Sequence, residues 1–281
     1  MKLNLTDNLM LMKTLQMLIA QYKPTAIAKA PEAISDVINK YTNHNSYVIG
    51  YSYPQKGIIP ETDIVHQHNK LIDTDKKNII QFHSEPFRVA LDATCPKLVI
   101  AQYHATLQEY SNCKIVRNPI DLYDEMFFPQ YQQDIIRIGY SPSTLKPGSE
   151  WADKGYAETI PILNEIKRIY KDKVEIDIIT GVPLEECLKR KSLCNIFIDE
   201  VKTTSYHRSG LEAMAMEKAI VATNIGWAKE MIKDGKEGFL VHPTQHKQFA
   251  ECILENTIKN RYGENGAIFP QSAPAVRVSF C

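Results

Sequence analysis

The residues best suited to chemistry lie together late in the chain, where Arg208, Ser209, Gly210, Leu211 and Glu212 open the run from Tyr206 to Val241. The stretch LEAMAME reads as a helix. Ser209 and Gly210 then stand at its mouth, where backbone N–H groups without helical partners and the positive end of the dipole attract an anion. Arg208 adds a fixed positive charge at the same place. Phosphate is the anion this combination suits best. One turn on, Glu212 offers an acceptor of the kind that grips ribose hydroxyls in dinucleotide sites, although there the acid lies on a following strand. The same carboxylate could equally serve its own helix dipole, an effect of about 0.3–1 kcal/mol.

Such a group needs a frame. After the helix, AIVATN reads as a buried strand, WAKEMIKDG as a second helix and GFLVHP as a closing strand. The same alternation runs through the chain. TAIAKA at 25–30 is a candidate first strand, and PEAISDVINKY is a helix opened by Pro31 with Glu32 in its first turn. SYVIGYSY, DIVHQHN, NIIQFHS, KLVIAQ and CKIVRNPI read as further strands. In the second half IIRIGYS, VEIDIITG and CNIFIDE are strands, with ETIPILNEIKRIY and LEECLKRK as helices between them. This pattern predicts an α/β fold of parallel sheets covered on both faces, with ligands beyond the carboxyl ends of the strands. The run DLYDEMFFPQYQQD breaks the alternation and places a domain boundary near Gln132, giving domains 1–132 and 133–281. The N-terminal LMLMKTLQMLIA, with Leu9, Leu11, Met12, Leu15, Leu18 and Ile19 apolar, reads as an amphipathic helix and not as a leader or a membrane span. A last helix is expected around QHKQFAECILENTIKNRY, and the tail from Gly263 has no periodicity.

Composition narrows the function. Lys+Arg and Asp+Glu are equal at 33 each, so no global basic field attracts nucleic acid or an anionic membrane, and any phosphate recognition is local. The six cysteines form no CxxC pair, which argues against a zinc ribbon and a disulfide framework and for a reducing, cytoplasmic setting. No GxGxxG, Walker A, HExxH, GxSxG or DxD pattern is present. No metal site and no bound cofactor are expected.

The segment EAMA at 212–215, the strand at 219–223 and the residues Asp234, Gly235 and Gly238–Val241 together resemble the nucleotide-binding end of retaining glycosyltransferases of family 4. The resemblance covers roughly residues 60 to 250. It implies a GT-B architecture, two Rossmann-like domains facing a central cleft. It also implies transfer of a sugar from a nucleoside diphosphate sugar to a hydroxyl acceptor, with retention and without a metal. A nucleotide-sugar epimerase on the same fold and a non-catalytic sugar- or nucleotide-binding protein are the alternatives. The donor nucleotide (UDP, GDP or ADP) and the acceptor are left open.

Carried over residue by residue, the resemblance makes Lys154, in WADKGY, the lysine that neutralises the donor diphosphate. Glu212 becomes the ribose ligand, and the Gly210 loop supplies amides. The family's arginine after the preceding strand is replaced by Tyr140 and Ser141, with Arg208 or Lys146 to supply the charge. The first glutamate of the E-x7-E motif is replaced by Thr204, which can hydrogen-bond but brings no carboxylate. His83, closing IIQFH, is similar to the family histidine beside the donor sugar. His66 and His68 resemble the DVVHxH run; at most one of them is expected to face the cleft, and no shared metal site is expected. Asn118-Pro119 is expected to shape the backbone. The paired glycines after the first strand are replaced by AKAPEAIS, with Lys29 and Ala30.

Overall fold

The computed structural model of the chain describes residues 16–23, 29–50, 61–100, 103–130, 135–146, 154–202, 207–226, 228–236 and 238–242. The chain divides into two units, Met1–Pro119 and Ile120–Cys281. The boundary read near Gln132 lies outside the described residues. The segment before it already belongs to the second unit: Phe127 is buried against Leu188 and Met216, and Lys218 Nζ donates to the Gln130 carbonyl at 2.5 Å.

The first unit is a six-stranded parallel sheet: β1 (Leu18–Tyr22), β2 (Asn45–Ile49), β3 (Ile64–His68), β4 (Lys77–Phe82), β5 (Lys97–Ile100) and β6 (Lys114–Val116). Helix α1 (Ala30–Tyr41) connects β1 to β2, opened by Pro31 with Glu32 in its first turn as the sequence suggests. Glu32 accepts from Lys23 Nζ at 2.6 Å.

The first strand corrects the sequence reading. Leu18–Ala20, assigned to the end of an N-terminal helix, lie in β1, and Ala30, assigned to a strand, is the first residue of α1. A short apolar run does not by itself distinguish strand from helix. Here backbone pairing with β2 on one side and β3 on the other decides it. The remainder of the expected N-terminal helix, residues 9–15, lies outside the described residues, as do the C-terminal helix and the tail. A second departure follows β3. It joins β4 through residues 69–76, and the described connections from there to β6 contain 3-10 turns and no α-helix.

The second unit is a five-stranded parallel sheet: β7 (Ile136–Tyr140), β8 (Val174–Ile178), β9 (Ile196–Ile198), β10 (Ala219–Thr223) and β11 (Gly238–Val241). Its helices among the described residues are α2 (Tyr156–Tyr170), α3 (Leu184–Ser192), α4 (Arg208–Ala215) and α5 (Ala228–Met231). One face of the sheet buries Ile136, Ile138 and Tyr140 against Ile162, Leu163 and Ile166 of α2. The other face buries Phe197, Ile220 and Ala222 against Ala213, Ala228 and Ile232. Burial on both faces is why these strands read as unbroken apolar runs.

Counting each unit's strands from its own first, both sheets have the order 2-1-3-4-5, with a sixth strand at the far edge of the first unit. This doubly wound order reverses between strands 1 and 3, and the crevice at their carboxyl ends is where such sheets bind ligands. In the first unit the reversal lies between β1 and β3, in the second between β7 and β9.

Candidate functional site

At the reversal of the second sheet, three carboxylates and three cationic side chains gather beyond the strand ends. Asp199 and Glu200 follow β9 directly, and both are essentially inaccessible to solvent. Glu212 comes from α4, Lys191 from the last turn of α3, Arg208 from the first turn of α4, and Lys154 from the turn before α2.

Glu212 is the hub. Lys191 Nζ donates to its Oε2 at 2.6 Å and Arg208 Nε to its Oε1 at 3.1 Å. Lys191 is buried and sits 5.3 Å above the Phe197 ring. A pair this deep recovers its desolvation only through good geometry and further contacts, which the ring and Arg208 supply.

Lys154 is held differently. It and Gly155 have left-handed backbones, φ 49° and 73°, and the Tyr140 hydroxyl donates to the Lys154 carbonyl at 3.0 Å. A Cβ on Gly155 would also come within 3.4 Å of Glu200 Oε1, so the turn lies closely on the end of β9. The Lys154 side chain is buried, yet its ammonium makes no hydrogen bond or ion pair with any described residue. Burial lowers its pKa from the usual lysine value, Lys191 lowers it further, and Asp199, Glu212 and Glu200 oppose the shift.

The structure places the other expected residues as follows. Helix α4 begins at Arg208, so Ser209 and Gly210 lie inside its first turn instead of ahead of it. The N–H groups of Gly210 and Leu211 donate to the His207 carbonyl at 3.1 and 3.3 Å, which corrects the expectation that the Gly210 loop presents its amides to a ligand. Gly210 has a steric role: a Cβ there would lie 2.6 Å from Asp199 Cγ. The negative group beside this helix end is internal. Asp199 Oδ2 accepts from the His207 N–H at 2.7 Å, while Asp199 Oδ1 and Ser209 Oγ are buried without partners among the described residues. Tyr140 is a fully buried core side chain that holds the Lys154 turn, not a surface of the site. Ser141 Oγ lies 3.7 Å from Cys187 Sγ, and Lys146 is exposed. Thr204 lies outside the described residues.

The reversal of the first sheet is built differently: beside the Lys23–Glu32 ion pair at the end of β1 it gathers neutral polar side chains. Gln21 from β1 and His66 and His68 from β3 are buried and form a polar cluster with His83, which lies just after β4 and is partly exposed. His66 and His68 share one face, with ring centroids 4.4 Å apart, because residues two apart on a strand point the same way; the expectation that only one could face the cleft was wrong on this point. His68 Nδ1 lies 2.9 Å from His83 Nε2, and His68 Nε2 lies 3.1 Å from Gln21 Oε1. Burial lowers every imidazole here: His66 and His104 to about 4, His83 to about 3, and His68 well below the usual range. Neighbouring histidines push His68 and His83 further down. Among the described residues no set of His, Cys, Asp and Glu is arranged to hold a metal ion.

Comparison with known proteins bears on the fold and on the second cluster. Residues 161–257, which include Lys191, Asp199, Glu200 and Glu212, match the family model described as glycosyl transferases group 1. Among solved structures, HepE from Anabaena with UDP and glucose superposes with a TM-score of 0.54 at 14% identity, covering 90% of this chain and 94% of that one. The chain has the GT-B glycosyltransferase fold. Sucrose-phosphate synthase from Thermosynechococcus elongatus superposes equally well, with a TM-score of 0.54 at 12% identity over 90% of this chain and 93% of that one. HepE with UDP-glucose gives 0.53 at 14% identity, over 87% and 91%. A sequence search of curated proteins finds no match. Identities this low carry the GT-B fold and not the ligand. No described helix is long and apolar enough to cross a membrane.

Sequence reasoning passed over Lys191, Asp199, Glu200 and Gln21. Asp199 and Glu200 follow an apolar strand directly, the position the ligand rule singles out. Lys191 lies three residues after the buried Leu188, a cation on the apolar stripe of its helix, and that was its signal. Gln21 was hidden because the helical reading of residues 9–20 left no strand for it to end.

Proposed function

We propose that this GT-B chain transfers a sugar from a nucleoside diphosphate sugar to a hydroxyl acceptor, with retention and without a metal. The observation that carries the reading is the buried Lys154, whose ammonium has no pairing carboxylate among the described residues at the reversal of the second sheet. A desolvated cation in that position is poised for an anion from outside the protein, and a departing diphosphate is the anion that the matched family would bring there. Lys154 neutralises the diphosphate as the bond from the anomeric carbon to the phosphate oxygen breaks. The acceptor oxygen adds on the same face, and its proton passes to the diphosphate. Glu212 grips the ribose through lone pairs that Lys191 and Arg208 leave open, and Arg208 adds charge beside the diphosphate. HepE, a structural relative, is known in complex with UDP and glucose, which makes a UDP-linked hexose the first donor to try.

A second reading is favoured by one observation: the three cations and three carboxylates of the cluster cancel, as they would in a scaffold that binds nucleotide weakly and no longer turns it over. Both readings meet the same experiment. Thermal stabilisation is measured with UDP-, GDP- and ADP-sugars and with the free diphosphates, for the wild type, Lys154→Met and Lys154→Arg. A shift with one nucleotide that is lost in Lys154→Met and kept in part by Lys154→Arg supports the donor site. No shift with any of them at millimolar concentration sinks it. Slow donor hydrolysis without acceptor then separates an enzyme from a binder.

A further inference from the structure

The histidine cluster of the first unit has a direction built into it. Gln21 Nε2 donates to Ser46 Oγ at 3.3 Å, which leaves Gln21 Oε1 facing His68 Nε2. An amide oxygen only accepts, so His68 Nε2 carries the hydrogen. A neutral imidazole has one N–H, so His68 Nδ1 is an acceptor, and His83 Nε2, 2.9 Å away, must be the donor to it. His83 then has a bare lone pair at Nδ1, and that nitrogen has no partner among the described residues. Burial keeps both rings neutral, His83 with a pKa of about 3, so a second proton does not scramble the order.

The backbone around His83 is locked as well. Its N–H donates to Asn69 Oδ1 at 2.7 Å, Asn69 Nδ2 donates to Ser84 Oγ at 2.9 Å, and the Tyr110 hydroxyl donates to the Ser84 carbonyl at 2.5 Å. The His83 ring is only partly buried and stands at the carboxyl end of β4, beside the reversal of the sheet.

We infer that Gln21 and His68 are positioning residues that fix His83 as a hydrogen-bond acceptor at Nδ1, so that the ligand group it takes is a hydroxyl or N–H donor. Phosphate oxygens and carbonyls are excluded from that position, because a lone pair would meet a lone pair. This deepens the sugar-transfer reading and rests on it for the ligand: the partner is a hydroxyl of the transferred sugar. The opposite orientation of the Gln21 amide would reverse every bond in the chain and make Nδ1 a donor.

The two possibilities have different spectra. Long-range nitrogen–proton correlation of the full chain, labelled in histidine and without ligand, reads which ring nitrogen is protonated. The expected result is Nε2–H on both His68 and His83, retained in Gln21→Glu, which keeps an acceptor, and lost to a mixture in Gln21→Leu. A proton on Nδ1 of His83 in the wild type overturns the inference, as does an unchanged tautomer in Gln21→Leu. With a bound donor, Gln21→Leu weakens the nucleotide sugar about two- to tenfold and leaves the free nucleoside diphosphate unaffected. Equal weakening of both overturns the assigned ligand group. Because the tautomer is read without ligand, absence of nucleotide-sugar binding breaks the sugar-transfer reading and not the relay.

Discussion

The two reversals of this molecule occupy equivalent places in two sheets of the same strand order, yet they handle buried polar groups in opposite ways. At β7 and β9 the side chains keep their charges: Lys191 and Arg208 share Glu212, and Lys154 makes no ion pair with a described residue. At the first reversal imidazoles stay neutral beside the Lys23–Glu32 pair, and His68 and His83 are ordered by hydrogen bonds that begin at Gln21. Pairing suits a place that must meet an ionic ligand, because a cation can be shared with it. Neutral relays suit a place that must tell donors from acceptors. One topology thus supports an electrostatic end and a hydrogen-bonding end.

The sharpest way to break this contrast is to remove one partner of the buried pair. Glu212→Ala leaves Lys191 buried and unpaired, and denaturant unfolding is expected to show a loss of about 3–5 kcal/mol. The double variant Lys191→Met with Glu212→Leu should recover most of that loss, since apolar replacement of a whole buried pair is often neutral. If the single variant is as stable as the wild type, the charges are not held as described.

Acid tests the other half. His66 and His104 hold pKa values of about 4 in the fold against 6.5 when exposed, so below pH 6.5 the unfolded chain binds protons that the folded one refuses. The contribution of these neutral rings is whole above pH 6.5 and falls as pH drops toward 4, by about 1.4 kcal/mol per histidine for each pH unit. His66→Phe should flatten the dependence by one histidine's share. A stability flat between pH 7 and 5 would mean that the rings are solvated.

Gly210→Ala probes packing under the charged cluster. The added methyl meets Asp199, and a loss of about 1–3 kcal/mol is expected, reduced in Gly210→Ala combined with Asp199→Ala. Full additivity of the two substitutions would show that they do not touch. The smallest stability effect belongs to Lys154→Met, at most about 1 kcal/mol in either direction, since no ion pair with a described residue is broken and burial already disfavours the charge. That variant is the clean one for nucleotide binding.

Much of the second unit was legible in advance. β7 to β11 and their helices follow from unbroken apolar runs bounded by turn residues, and the resemblance around Glu212 led to the right fold. The first unit was harder to read. LIAQY could serve as helix or strand, and only two neighbouring strands made it β1. The start of α4 at Arg208 was misjudged because Gly210 looked like a loop residue, when it is a glycine required by the closeness of Asp199.

The sequence by itself determined the class of the molecule: alternating apolar runs demand parallel sheets, and a balanced composition confines any recognition of phosphate to one place. It also held the chemically suited side chains, Lys154, Arg208, Glu212 and His83. Tertiary structure alone decided which of those charges are already spent. Glu212 meets Lys191 across 21 positions, and His83 meets Gln21 only through His68, because strand order brings distant strand ends to one crevice. Local periodicity records which face a residue takes; it does not record what another strand places opposite.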